Sequence, residues 1–347
     1  MEKVNVKPQY DERGLGVPNI LVIGCGGAGN NGVNRLAKLG INGAKTIAVN
    51  TDQQALAKSD ADMKVLIGKN ITRGMGAGGD PKLARRCLEV SRWHLEKMMN
   101  GADLVFITAG MGGGTGTGIS GELARMAEEA GAIVIALVTT PFDIERDRHD
   151  KARMGVEELA QYAHSLIVLD NNRLIELVGN KPINQAFLVI DQFLAETIKG
   201  ITEVITEPSL INLDFNDVRS ILSHGGWSSL LYGEASDMDP SLVIDSALNN
   251  PIMEVDISGA SGALVHITCG KKLSLLSMQE IADGITDGME EDSNVILGAR
   301  IDPRLNGTVR VMSIVTGVDD LLMDDLAANG PASKPEDWDK WDIPTVY

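Results

Sequence analysis

The sequence predicts an α/β protein: a parallel sheet wrapped by helices, one long central helix, and a smaller α/β domain. Three observations predict it. Short aliphatic runs end in glycine-rich loops and lead into helical patterns, and this unit recurs along the first half. An unbroken helical period then runs from Pro182 to Thr206. After it, strand-like and helical stretches resume.

Taken in order, residues 1–18 are expected to be a flexible N-terminal extension. Asn19 to Ile23 is aliphatic and stops at Gly24, as a buried parallel strand should. Val33, Leu36 and Leu39 mark a helix that ends at Gly40, and Thr46 to Val49 is a second strand. Asp103 to Thr108 is a strand, Gly112 to Gly118 a loop, and Gly121 to Ala130 a helix. Strands follow at Ala132 to Val138 and Ser165 to Leu169. In the central helix, apolar residues recur at steps of three and four, so one face is expected to be apolar and Pro208 to stop it. Ser261 to Gly270 and Thr308 to Gly317 read as strands, and Leu275 to Gly284 as a helix. The domains are therefore 19–181, the central helix 182–206, and 207–320. Residues 321–340 are polar and acidic and read as a flexible linker. Trp341–Tyr347 (WDIPTVY) regains apolar character.

Composition excludes several classes. Hydrophobic residues make up 44% of 347, enough for ordinary cores, while aromatics are only 4%, so those cores are aliphatic. A net charge of −17 argues against binding nucleic acid over a broad face. Cys25, Cys87 and Cys269 lack metal-ligand spacing and are odd in number, which suits a reducing compartment. There is no apolar signal region and no run of about 18 apolar residues to insert in a membrane. A cytoplasmic protein is expected.

Two glycine-rich loops carry the chemistry. GCGGAGNN, Gly24 to Asn31, contains Gly-x-Gly-x-x-Gly between a strand and a helix. Alone it fits a Rossmann-like dinucleotide site with Asp52 on a ribose, and hence an NAD-dependent dehydrogenase. It also fits a turn that only needs close helix packing. GMGGGTGTG, Gly110 to Gly118, is the more specific. Backbone without Cβ atoms wraps an anion, a helix N-terminus stands behind it, and Thr115 and Thr117 offer hydroxyls. No lysine follows, so it is not a Walker loop. Two loops at the carboxyl ends of parallel strands imply one polyphosphate held from both sides.

GGGTGTG is similar to the signature of the FtsZ family of tubulin relatives, and the resemblance runs from about Asn19 to Gly317. NTDQQAL (Asn50 to Leu56), TRGMGAGGDP (Thr72 to Pro81) and TTPFDIERDR (Thr139 to Arg148) resemble further nucleotide loops of that family. INLDFNDV (Ile211 to Val218) resembles its synergy loop, and NVILGARIDPRLNGTVRVMSIVTG its closing strands. The words NNRL and GALVHITCG resemble archaeal members more than bacterial ones.

The resemblance implies the tubulin/FtsZ fold and a GTPase, with GTP or GDP bound and Mg²⁺ bridging the phosphates with few or no direct protein ligands. Gly26, Gly27, Ala28, Gly29, Asn30 and Asn31 would hold phosphates, together with Gly112, Gly113, Gly114, Thr115, Gly116 and Thr117. Glu145 would hold the ribose. Arg148 takes the place of the family's arginine, reached by counting back from Ala152 and Gly155, because Arg146 replaces a glycine in a loop one residue shorter. Asn171 would contact guanine, Phe187 would stack on it, and Asp191 would accept its N–H groups. From spacing alone, Phe187 is a core residue. Asn212, Asp214 and Asp217 would act on the nucleotide of the next subunit, orienting the attacking water; in isolation the two acids read as a helix cap and a surface charge.

The same resemblance implies head-to-tail self-assembly into filaments at a mid-cell division site. It also implies docking of Trp341–Tyr347 onto a membrane-adaptor protein. A tubulin-like paralogue that controls cell shape with little turnover is the remaining reading.

Overall fold

A computed structural model describes residues 17–178, 182–207, 210–211, 214–222, 227–236, 239–250, 257–305 and 307–318. The expected N-terminal extension up to residue 16, Pro208, Asn212, the linker and the tail peptide lie outside the described residues.

The chain begins β1 (Ile20–Cys25), α1 (Gly26–Leu39), β2 (Ala44–Asn50), α2 (Gln53–Ala57), β3 (Met63–Leu66), α3 (Lys69–Thr72) and α4 (Pro81–Met99). It continues β4 (Leu104–Gly110), α5 (Thr115–Glu129), β5 (Ile133–Thr140), α6 (Arg146–Ala160), β6 (Ser165–Asp170) and α7 (Arg173–Val178). The central helix is α8 (Ile183–Thr206). Beyond it come α9 (Phe215–Leu222), β7 (Ser228–Ser236), α10 (Pro240–Leu248), β8 (Gly262–Cys269), α11 (Leu275–Thr286), β9 (Asn294–Ile301) and β10 (Thr308–Thr316).

Six strands form a parallel sheet in the order β3-β2-β1-β4-β5-β6. The connections run outward in both directions from β1 and β4, so a crevice opens between the carboxyl ends of those two strands. The second sheet, β7-β10-β8-β9, is mixed: β10 is antiparallel to β7 and β8, and β8 is parallel to β9. One face of the parallel sheet packs on α4, α5 and α6 through Val105, Ile107, Leu88, Leu123 and Val156.

The other face shares its core with α1, α8 and the second sheet. Phe106 and Leu137 of the parallel sheet join Val33 of α1 and Ile190, Leu194 and Ile198 of α8, and Leu264, Met312 and Ile314 close the far side. The sequence predicts one apolar face for α8, whereas the structure covers the helix on two sides. Thr197 and Thr202 are buried too, and their hydroxyls donate back to Phe193 O (2.9 Å) and Ile198 O (2.7 Å), which meets their hydrogen-bonding need inside the helix. A third core, around Leu231, Val243, Val265 and Ile281, holds α10 and α11 on the outer face of the second sheet.

One boundary moves in a way that matters for the site. α5 begins at Thr115, six residues before the expected Gly121, so half of the glycine-rich loop is the first turn of a helix. Gly116 lies so close to Gly110 O that a Cβ would come within 2.6 Å of it, and a Cβ on Gly118 would collide with Pro81 O. These glycines let α5 press against β4 and the start of α4.

Candidate functional site

The site is built where α1 and α5 start. Gly26 has φ +71°, and a Cβ there would sit 2.8 Å from Gly116 N, so the two helix N-termini abut. Neither helix has a side-chain cap, and neither carries an acidic residue in its first turn. Their free N–H groups therefore converge on one place, with two positive dipole ends behind them. Gly27, Ala28, Gly113, Gly114, Thr115 and Gly116 line a cavity of about 390 Å³ there. A Cβ on Gly27 or Gly113 would meet nothing within 4 Å, so both open onto free space. The Thr51 and Thr115 hydroxyls are 2.7 Å apart and tie the end of β2 to the α5 N-terminus.

Loop 73–80 closes another wall. Its backbone has positive φ at Arg73, Gly74, Gly76, Gly78 and Gly79, and Gly76–Gly79 line the cavity. Gly114 packs against this loop, since a Cβ on it would lie 2.9 Å from Asp80 N.

On the side of β5 and β6, Glu145 precedes α6 and Arg148 sits in its first turn. Their side chains pair at 2.7 Å at the cavity edge, and Glu145 also accepts from Phe142 N at 3.2 Å. Gly112 lies beneath them: a Cβ there would be 2.7 Å from Arg148 Cβ.

A second cavity of about 350 Å³ adjoins the first and shares Gly27, Ala28, Thr139, Asn171 and Phe187 with it. Asn31 and Asp191 complete its walls. Burial pushes the Asp191 carboxyl up to about 6, against the opposing influence of Arg35. The Asn171 Oδ1 is buried without a hydrogen-bond partner. An acceptor without a donor and a desolvated carboxylate together call for a ligand rich in N–H groups. Phe187 is not the core residue its spacing implies. It is 40% exposed and meets Phe142 edge to face, with centroids 5.7 Å apart.

Two candidate residues lie behind the cleft. Thr117 is buried, its Oγ1 has no partner, and its methyl faces the position where a Gly155 Cβ would be, so it packs on α6 away from the cavity walls. Asn30 is also buried, with neither amide atom partnered. Gly29 is a packing residue: a Cβ there would collide with Thr108 O. Asp52, the acid of the dehydrogenase reading, lines the first cavity, and its Oδ1 caps α2 by accepting from Gln54 N (2.8 Å) and Ala55 N (3.0 Å).

Asp214 and Asp217 do not line the cleft. Both are exposed beyond the C-terminus of α8, while Phe187 and Asp191 lie near its N-terminus. At 24 residues, α8 separates these ends by about 36 Å. Asp214 accepts from Asn216 N at 2.8 Å, and Asp217 accepts from Asp214 N at 3.3 Å, a reciprocal cap for α9. Sequence reasoning missed Thr51 and Phe142 as parts of the site. They fall inside NTDQQAL and TTPFDIERDR, where the motif alone does not single them out.

Among the described residues, no cluster of three His, Cys, Asp or Glu side chains could hold a metal, and no helix is long and apolar enough to cross a membrane.

Residues 19–179 match the description "Tubulin/FtsZ family, GTPase domain", and residues 226–319 match "FtsZ family, C-terminal domain". A protein of Halobacterium salinarum named cell division protein FtsZ 2 is 52% identical over 305 residues, 88% of this chain and 78% of that protein. Its namesake in Methanocaldococcus jannaschii is 49% identical over 314 residues, 89% of this chain and 83% of that protein. Among solved structures, an FtsZ dimer of M. jannaschii is similar with a TM-score of 0.82 and 42% identity, covering 87% of this chain and 89% of that one. A CetZ2 protofilament from Haloferax volcanii with GTPγS bound shares the fold, with a TM-score of 0.76 at 20% identity over 90% and 98% of the two chains.

Proposed function

The chain belongs to the tubulin/FtsZ family, and from that premise we propose that it is a cell-division GTPase that polymerises head to tail and completes its active site between neighbours. The observation that carries this reading is the placement of its two functional parts at opposite ends of α8: the cleft at one, Asp214 and Asp217 at the other. Stacking copies end to end brings the acids of one molecule to the open cleft of the next. Such an interface is heterologous and propagates as a filament.

Exposed apolar side chains at both ends support it. Met75 (76% exposed) and Ile144 (89%) stand beside the cleft. Leu210 and the Leu275–Leu276 pair are exposed at the other end, where β8 and β9 finish and Arg300 pairs with Glu203 of α8 and with Glu207, the residue that caps it. An NAD-dependent dehydrogenase is set aside, since the GTPase-domain match spans the glycine loops and Asp52 is engaged as a cap. Relatives named for cell division share about half of their aligned residues with this chain, which supports division over a shape-control role.

In this reading the α1 and α5 N-termini hold the phosphates, Glu145 and Arg148 border the ribose, and Asp191 accepts the guanine N1–H and N2–H groups while Phe187 covers the base. Water oriented by Asp214, Asp217 and Asn212 of a second copy attacks the γ-phosphorus. The new P–O bond forms as the bond to the β–γ bridging oxygen breaks, GDP leaves with that electron pair, and the water proton passes to a carboxylate or solvent. Mg²⁺ would supply charge neutralisation if bound with the nucleotide; Thr115, Asp52 and Glu145 are side chains of the cavity wall that could approach it, and among the described residues no three acids, histidines or cysteines cluster to cage it. Trp341–Tyr347 docks on a membrane adaptor at the division site. Light scattering with GTP against GDP tests the reading: GTP-dependent assembly is expected, and equal scattering with both would overturn it.

A further inference from the structure

Lys151 stands on α6, one turn beyond Arg148, and its Nζ donates to Gly79 O at 2.9 Å. The stretch it grips has few other polar ties among the described residues. Gly76 N donates to Thr51 O at 3.2 Å and Asp80 N to Ala77 O at 3.0 Å, and the glycines between them carry no side chains. Gly78 and Gly79 both have positive φ and line the phosphate cavity beside Gly113 and Gly114. An ammonium group there does two things. It fixes the orientation of the Gly79 peptide, and it places a positive charge beside a wall that the Asp191 cavity does not share.

We propose that Lys151 is a positioning residue that holds the 76–79 segment over the terminal phosphate and so favours a nucleoside triphosphate over a diphosphate. This rests on the guanine-nucleotide reading of the cleft. The charge adds to it, because a triphosphate brings more negative charge to this end of the cavity than a diphosphate does.

The test is titration calorimetry with GDP and with a slowly hydrolysed GTP analogue, at protein concentrations below assembly, on the full chain. Lys151→Met is expected to weaken the triphosphate by about 5- to 20-fold and the diphosphate by about 2-fold or less, as for loss of one exposed charge-assisted hydrogen bond. Lys151→Arg is expected to restore most of the difference. Arg153→Met, which removes a cation from the same helix where it pairs with Glu157 at 3.9 Å, is expected to leave the ratio unchanged. Equal weakening of both nucleotides by Lys151→Met, or an unchanged ratio, would overturn the proposal. Failure of the unmutated protein to bind either nucleotide would instead overturn the reading of the cleft.

Discussion

Nucleotide affinity should depend on pH through Asp191. Its carboxyl titrates at about 6 in the nucleotide-free protein because burial disfavours the charged form. Only the carboxylate accepts both N1–H and N2–H of guanine, so binding requires the proton to leave. At pH 7.5 the group is almost wholly ionised and affinity is at its plateau. At pH 5, about one unit below, roughly one molecule in ten is competent, and GDP affinity should fall about tenfold. The stability of the free protein runs the other way. The folded value lies above the unfolded one, so the unfolded state ionises more readily, and stability declines as pH rises from about 4 to about 6. Asp191→Asn should bind GDP more weakly at pH 7.5 by about 1.5–3 kcal/mol, the cost of a charged hydrogen bond, and narrow the preference for guanine over adenine nucleotides. Calorimetry with GDP from pH 5 to 8 on both proteins isolates the effect, since phosphate titration is common to the two. A slope of equal size in Asp191→Asn would refute the assignment of the base site.

Other perturbations separate the parts. Leu275→Glu places a charge on an exposed apolar site at the assembly end; the critical concentration by sedimentation should rise at least about tenfold, while GDP affinity is unchanged. Gly113→Leu adds a side chain at the wall of the phosphate cavity, where its Cβ would meet no atom within 4 Å, so nucleotide binding should be lost with the melting temperature of the free protein preserved. Deleting residues 324–347 removes none of the described core residues and should leave hydrolysis and assembly intact, while imaging in cells should show loss of division-site placement.

Five of the six strands of the parallel sheet were legible as aliphatic runs, with β1 and β4 leading into the glycine loops; β3, four residues long with Lys64 inside it, gave no such run. α4 was not, because its polar residues obscure the period: it carries Lys82, Arg85, Arg86, Glu89, Arg92, Glu96 and Lys97 around a narrow buried stripe of Ala84, Cys87, Leu88 and Leu95. The Asp80–Pro81 pair, a side-chain cap followed by proline at the first helical position, was the local signal for it. α8 hid its second buried face behind Thr197 and Thr202, whose hydroxyls look polar in sequence yet bond within the helix.

In the site, glycine content pointed to the cleft, but the division of labour among the glycines is set by tertiary packing. Gly27 and Gly113 face open space, whereas Gly29 and Gly118 answer to packing. Phe187 and Asp191 have helical spacing that core residues share, so only the family resemblance, and then their exposure and desolvation, distinguishes them. Asp214 shows the reverse: its capping role is visible locally, and its distance from the molecule's own cleft is a tertiary fact.

The most direct measurement of the central claim is GTP turnover in mixtures of two variants. Asp214→Ala keeps its own cleft and should bind GTP normally, and Gly113→Leu keeps its own Asp214 and Asp217. Each alone should lose most turnover, about a hundredfold or more for the missing water-orienting group. Mixed at fixed total protein, they should recover activity that peaks at an intermediate ratio, because GTP in an Asp214→Ala molecule then faces an intact acid pair from its neighbour. Turnover per molecule that is independent of protein concentration in the unmutated chain, with no recovery on mixing, would show that each molecule carries a complete active site and would contradict the account.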